Sequence, residues 1–363
     1  MSNRISRMDV QPYLDRFTRR DWDQPTENGP VRLAVVGLGG FARERALPAI
    51  ARATLCEATV VVSGSSEKAD EIATDFRLDY GLTYDEFQDG TAVDAYDAVY
   101  IATPPAFHLD YTKTATEFGK HVLCEKPMET SSSRAEQMVQ VCEEADVTLM
   151  IAYRLQTEPA VRRMRELIRD GFVGEPVQLN GGFSSQLLAN NPESDHWRLD
   201  PTLAGGGALV DLGVYPLNTS RFLLDSDPSS VQGTTVSTHE EFADVDEHVS
   251  FQLSFPKGVT ATCTASFNAH PDSRLQVLGT EGQILIEAPF GGIVPQDITL
   301  ERGDMRTEYV GHPVDEVTEE FDYFATCVLT ESTPEPNGAD GVADMRAIEA
   351  IYEATETGSQ VTL

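Results

Sequence analysis

Positive charge is what this chain has least of. Of its 363 residues, 27 are Lys or Arg against 59 Asp or Glu, a net charge of −32, and only five are lysine. A field of that sign opposes nucleic acid and anionic membrane, so neither is expected as a partner. The acids are spread along the whole length rather than gathered in a tail, as in a general solvated coat. Two readings suit such a coat, an acidic interaction surface and adaptation to concentrated salt; the even spread favours the second, a halophilic cytoplasm. Cysteine is sparse too. Cys56, Cys124, Cys142, Cys263 and Cys327 are odd in number, widely spaced and mostly set in apolar runs, with neither a disulfide framework nor a zinc spacing. No metal is expected. A signal peptide and any run of about 18 apolar residues are also missing, which makes a soluble cytoplasmic protein the default.

Residues 1–30 are polar and proline-punctuated, with one amphipathic piece over Val10–Phe17. They read as an N-terminal arm that either packs on a neighbouring subunit or is partly disordered. From Val31 to Tyr153 strands and helices alternate, which predicts a parallel, doubly wound sheet. Val31–Val36 is almost wholly apolar, as a strand buried on both faces should be, and it ends in Gly37-Leu38-Gly39-Gly40-Phe41-Ala42. Gly37 allows a tight turn, Gly39 lets backbone approach a pyrophosphate, and Ala42 lets the next helix pack closely. The N–H groups at that helix start attract phosphate. A second strand, Ala58–Val62, runs into Ser63-Gly64-Ser65-Ser66-Glu67-Lys68. No acid stands at its tip to accept a ribose 2′-OH. The serine hydroxyls of Ser63, Ser65 and Ser66 and the Lys68 ammonium suit a 2′-phosphate instead, so NADP is expected over NAD. Two more buried strands end in Thr103-Pro104-Pro105 and in Glu125-Lys126-Pro127. Ligands of such sheets lie beyond the carboxyl ends of strands, so both tips are expected at the cofactor.

Past the strand expected over Thr148–Tyr153 the pattern changes, and residues 154–363 read as a second domain for substrate and oligomerisation. A helix over Glu158–Asp170 is followed by strand-like runs at Val177–Phe183, His248–Phe255, Val259–Phe267, Leu275–Leu278, Ile284–Glu287 and Ile298–Arg302. Their alternation, with a hairpin signal at Pro256-Lys257-Gly258, predicts an open, mainly antiparallel sheet. A helix over about Leu203–Leu224 covers one face, leaving the other for a second subunit. Asp340 is expected to cap a closing helix over 340–357, with Val342, Met345, Ile348 and Tyr352 on one side.

Gly37-x-Gly39-x-x-Ala42, Ala102-Thr103-Pro104-Pro105 with His108, Glu125-Lys126-Pro127-Met128, Gly205-Gly206-Gly207 and Asp211-x-Gly213-x-Tyr215 occur in that order. The series resembles the glucose-fructose oxidoreductase, inositol dehydrogenase and rhizopine-catabolism (Gfo/Idh/MocA) family over residues 31–363. The resemblance implies a Rossmann domain followed by an α/β domain with an open sheet, hydride transfer at a sugar or polyol carbon, and dimers or tetramers through that sheet. Many members carry histidine where this chain has Tyr215. Tyrosine there, with Trp197-Arg198 and Ala152-Tyr153-Arg154, resembles the branch of glucose-fructose oxidoreductase and the dihydrodiol and aldose dehydrogenases. Joined to the acidic composition, this implies an NADP-dependent aldose 1-dehydrogenase with D-xylose first among its sugars. The alternatives are an oxidoreductase that keeps NADP bound between two sugars, a dihydrodiol dehydrogenase, and a non-enzymatic NADP sensor.

Oxidising an aldose at C1 sends a hydride to the nicotinamide and a proton from O1 to a base. Tyr215 is the candidate base. A phenol is a poor base at neutral pH, so a cation must favour its phenolate, and Lys126 can do so while donating to O1. Asp211, four residues before Tyr215 on one helix face, either orients Lys126, holds a sugar hydroxyl or acts as a structural cap. Arg154, Trp197, Arg198 and His108 are expected near the cofactor, and Arg154 and His270 near the sugar.

Overall fold

The computed structural model describes residues 8–23, 29–190, 196–291, 297–311 and 314–363. By its internal contacts the chain forms two compact units. One comprises Trp22–Thr157 with Asp315–Met345; the other comprises Met1–Asp21, Glu158–Val314 and Arg346–Leu363.

The first unit is built on six parallel strands: β1 (Val31–Val36), β2 (Cys56–Ser63), β3 (Tyr80–Thr83), β4 (Ala98–Ile101), β5 (His121–Cys124) and β6 (Leu149–Ile151). Their order, β3-β2-β1-β4-β5-β6, is that of a Rossmann sheet. Leu33, Ala34, Val35 and Val36 are fully buried, as are Ala98–Ile101, which is why these strands read as continuous apolar runs. Helices Ser66–Phe76 and Ser132–Glu144 begin where the hydroxyls of Ser65 and Ser131 accept a backbone N–H. The strand expected over Thr148–Tyr153 is the shorter β6.

A division at 153/154 leaves out one helix of this unit. Glu316–Leu329 lies in the first unit, with Val317, Phe321 and Phe324 at 0% exposure and the Phe321 ring edge-on to Tyr100 at 4.9 Å. Its apolar positions recur at 317, 321, 324 and 328 with acids in the first turn, a helix signature.

The second unit carries nine strands: β7 (Pro176–Gln186), β8 (Ser230–Val236), β9 (His248–Ser254), β10 (Thr260–Ser266), β11 (Asn268–Gly279), β12 (Gly282–Glu287), β13 (Asp297–Arg302), β14 (Met305–Val310) and β15 (Val361–Thr362). The order is β14-β13-β12-β11-β7-β10-β9-β8-β15. Every pairing is antiparallel except β7 with β10. The hairpin at Pro256-Lys257-Gly258 joins β9 to β10, with Lys257 at φ 63°. A polar row crosses the sheet, in which Asn180 donates to Gln276 at 3.3 Å and Gln276 to Gln283 at 2.6 Å.

Two expectations are corrected. The helix over 203–224 is broken, because Gly205 (φ 80°) and Gly206 (φ 156°) end a short helix Pro201–Ala204 before a π turn Leu209–Gly213 leads into Val214–Leu224. Pro216 supplies no N–H and its ring crowds the carbonyl of Leu212, which accounts for a ladder distorted at that turn. The closing helix is Gly338–Thr357, and its cap is Asn337, whose Oδ1 accepts the N–H of Asp340 at 3.1 Å. Asp340 instead accepts from Gln156 at 2.6 Å. Over residues 8–21 the arm packs on its own chain. Phe17 is buried edge-on to Tyr309 at 4.9 Å, Tyr13 donates to Asp170 at 2.6 Å, and Asp21 pairs with Arg162 and Arg163 at 2.6 Å. Arm residues 1–7 and 24–28 lie outside the described residues. Among the described residues no helix is long and apolar enough to cross a membrane.

Candidate active site

The residues expected to act fall in both units.

In the first unit the turn after β1 is shaped by one close approach. Gly37 has φ 97°, and a Cβ there would lie 2.7 Å from the carbonyl oxygen of Ala102. Only glycine satisfies both conditions. Gly39 and Gly40 are different, since a Cβ at either would meet nothing within 4 Å. The protein's own packing does not demand glycine at these two positions; an open backbone cradle at a helix start suits a pyrophosphate. Leu38 is buried, so only its backbone faces outward, while Phe41 is exposed and Ala42 is sealed into the following helix. Thr103, beyond β4, holds a buried Oγ1 with no hydrogen-bond partner, a second polar atom left for a ligand. The cradle therefore fits a dinucleotide.

At the tip of β2, the Ser65 hydroxyl accepts the N–H of Lys68 at 3.2 Å, and Ser63 Oγ accepts the N–H of Ser65 at 3.3 Å. Ser66 is exposed. The Lys68 ammonium is pushed below its usual pKa by burial and then by the charge of Arg43. Neither cation has a hydrogen bond or ion pair among the described residues, in a chain with 32 excess negative charges. Two cations close enough to perturb one another suit an anionic ligand. Arg43 was not legible as part of it, because its approach to Lys68 spans two different βα turns.

At β5 the Glu125 carboxylate accepts from Tyr100 Oη at 2.7 Å and from the N–H of Lys126 at 3.2 Å, so it is turned into the protein rather than toward a cofactor. Lys126 follows, half-buried, and its peptide to Pro127 is cis. His108 was expected at the cofactor and is corrected. It is fully buried, with Nδ1 3.1 Å from the Met128 carbonyl and Nε2 2.9 Å from that of Thr103. Both ring nitrogens thus face backbone carbonyls at the β4 and β5 tips, of which a neutral ring can donate to only one, and burial pushes its pKa down against the pull of those two carbonyls. Pro104 opens the short turn before it. Arg154 is likewise committed inward: it is 9% exposed, with Nε 3.1 Å from buried Glu316. Its partner stands on the helix that was missed.

In the second unit, Tyr215 is half-buried between two rings, Phe183 edge-on at 5.3 Å and Phe290 tilted at 5.6 Å. Gly181 on β7 makes room for this helix, since a Cβ there would sit 2.7 Å from Pro216 Cβ. Asp211, on the π turn before Tyr215, accepts from Arg198 Nε at 2.8 Å, and the Arg198 guanidinium stacks over Trp197 at 4.2 Å. Asp211, Arg198 and Trp197 thus form one cluster that joins the short turn Trp197–Leu199 to the π turn before the helix of Tyr215. His270 is exposed in the irregular stretch of β11, where its carbonyl accepts from Ser184 at 2.7 Å.

The comparisons with known proteins match this architecture. The model of the oxidoreductase family with an NAD-binding Rossmann fold matches residues 31–153, and that of the GFO/IDH/MocA C-terminal domain matches residues 161–285. D-xylose 1-dehydrogenase (NADP(+)) of Haloarcula marismortui is 50% identical over 359 residues, 98% of this chain and 100% of that protein. D-xylose 1-dehydrogenase (NADP(+)) 2 of Haloferax volcanii is 31% identical over 91% of this chain and 98% of its own. Among solved structures, the aldose-aldose oxidoreductase from Caulobacter crescentus complexed with glycerol superposes with a TM-score of 0.86 at 30% identity, covering 92% of this chain and 99% of that one. With both domain models matched and full-length relatives of this identity, the chain belongs to the Gfo/Idh/MocA family of oxidoreductases.

Proposed function

We propose that this protein is an NADP-dependent aldose 1-dehydrogenase that oxidises D-xylose at C1 to the lactone. The observation that carries the reading is the 50% identity to a D-xylose 1-dehydrogenase (NADP(+)) along the whole of both chains. The bare Arg43–Lys68 pair at the tip of β2 supports the 2′-phosphorylated cofactor independently.

When bound, the nicotinamide accepts the hydride leaving C1. The chain's residues handle the charge and the proton. Lys126 donates a hydrogen bond to O1, which gains negative charge as C1 is oxidised, and Tyr215 takes the O1 proton as the C1–O1 double bond forms. Asp211, steadied by Arg198, accepts from a sugar hydroxyl. Ser65, Ser66, Lys68 and Arg43 hold the 2′-phosphate, and the backbone at Gly39-Gly40 holds the pyrophosphate. We also propose a cytoplasmic homodimer or homotetramer, assembled through the nine-stranded sheet.

The test is initial rate in molar KCl with NADP and with NAD against xylose, glucose, arabinose, ribose, inositol and a trans-dihydrodiol. Xylose oxidation with NADP, and little with NAD, is the expected result; no turnover of any sugar overturns the reading. Reversing the charges in Arg43→Glu and Lys68→Glu is expected to raise the KM for NADP by about 10- to 100-fold each, the worth of one charge-assisted contact. The KM for NAD should stay level. A parallel rise for both cofactors would remove the phosphate site.

A second reading has an observation of its own, the TM-score of 0.86 to an aldose-aldose oxidoreductase. Cofactor that stays with the protein through gel filtration, with hydride passed to a second sugar, would favour it.

A further inference from the structure

The triple glycine before the catalytic helix is pressed against two residues that the mechanism does not use. A Cβ on Gly206 would lie 2.2 Å from Tyr352 Oη, and one on Gly207 would lie 2.3 Å from the Asp246 carbonyl oxygen. Asp246 then takes the opening N–H groups of the helix in succession. Its Oδ1 accepts from Gly207 at 2.8 Å, its backbone oxygen from Ala208 at 2.9 Å and its Oδ2 from Leu209 at 2.7 Å. Tyr352 Oη donates to the same Oδ1 at 2.6 Å. One residue, 8% exposed, thus takes three of the four N–H groups that the start of a helix leaves open, ahead of Asp211 and Tyr215.

We propose that Asp246 and Tyr352 are positioning residues for the dehydrogenase: together they fix where the helix starts, and hence where Asp211 and Tyr215 stand. This rests on the reading of Tyr215 and Asp211 given above. The π turn Leu209–Gly213 is what makes the start decisive. Its bonding differs from that of the α-helix after it, so the cap selects which residues occupy the wide turn. Burial raises the cost of leaving the Asp246 carboxylate one donor short, and Tyr352 is the donor that comes from another element.

The test is Tyr352→Phe, which removes the hydroxyl and keeps the ring, with Asp246→Asn as a second variant. For Tyr352→Phe the kcat per NADP-binding site should fall about tenfold, the worth of one such hydrogen bond. KM for xylose should change less than threefold and the Kd for NADP should not move. Trp197 emission should shift, because Trp197 is linked through Arg198 to Asp211. A kcat within twofold of the parent, or a loss that only follows the folded fraction, overturns the proposal. The two failures are separable. A parent enzyme that does not oxidise xylose sinks the functional reading, whereas an active parent with an unaffected Tyr352→Phe sinks only this one. If Asp246→Asn does not fold, Tyr352→Phe still decides.

Discussion

Lys126→Met is expected to lower kcat for xylose by at least about 10³-fold while the Kd for NADP stays within twofold of the parent. Two losses combine. On the mechanism proposed above, the oxygen that gains charge in the transition state would lose its donor, and the proton acceptor would lose a stabilising cation; each is worth about 10²-fold or more. The loop itself has little reason to move. β5 is buried up to Cys124, Glu125 is pinned by Tyr100 at 2.7 Å, and Met128 is bound through its carbonyl by His108 at 3.1 Å. The anchors lie on either side of residue 126. Methionine matches the length of the lysine stem, so the change removes charge and donor and little else. Stopped-flow and steady-state rates, with NADP binding followed by fluorescence, are the measurements. Turnover within tenfold of the parent would take Lys126 out of the chemistry, and joint loss of turnover and NADP binding would make it a cofactor ligand instead.

The local features were legible. An apolar run ending in spaced glycines, and a lysine just past a buried strand, are properties of a few consecutive residues, and physics ties each to one arrangement. What failed to show were choices between partners distant in sequence. His108 carries the same letters whether it faces a cofactor or two carbonyls, and only the approach of Thr103 and Met128 decides. Arg154 looked available because Glu316 stands 162 positions later on a helix whose acidic first turn drew no notice. Asp246 is an acid in a loop until Gly207 and Tyr352 are placed against it. The triple glycine was visible as a pattern, and its reason was not: the bareness answers to Tyr352 Oη and the Asp246 backbone. Charge compensation has the same character. Arg43 and Lys68 are 25 positions apart and feel one another's charge only because β1 and β2 lie side by side.

Lowering KCl from about 3 M to 0.1 M is expected to depress the Tm by at least about 10 °C and to drive the chain toward unfolding at ambient temperature. The reason is visible on single elements. On helix Ser66–Phe76 the exposed acids Glu67, Glu71 and Asp75 follow one another at four-residue spacing, and Glu349 and Glu353 do the same on the closing helix. Each like-charge pair at that spacing costs about 0.2–0.5 kcal/mol when unscreened. The scarce arginines do not offset this, since several are spent in the interior or on single partners. Arg163 is 2% exposed between Asp21 and Glu166, and Arg302 is turned onto the carbonyls of Gly171 and Phe172. With 32 excess negative charges the self-repulsion weighs against a net stability of only about 5–15 kcal/mol for a domain. Molar salt shortens the screening length from about 10 Å to about 3 Å, less than the separation of those side chains, and removes most of that term. Circular dichroism melts across a KCl series give the slope, and sucrose at matched water activity separates screening from general exclusion. A Tm that is flat in KCl, or that rises as much with sucrose, would mean that the acidic coat is not balanced by salt and serves a surface for a basic partner instead.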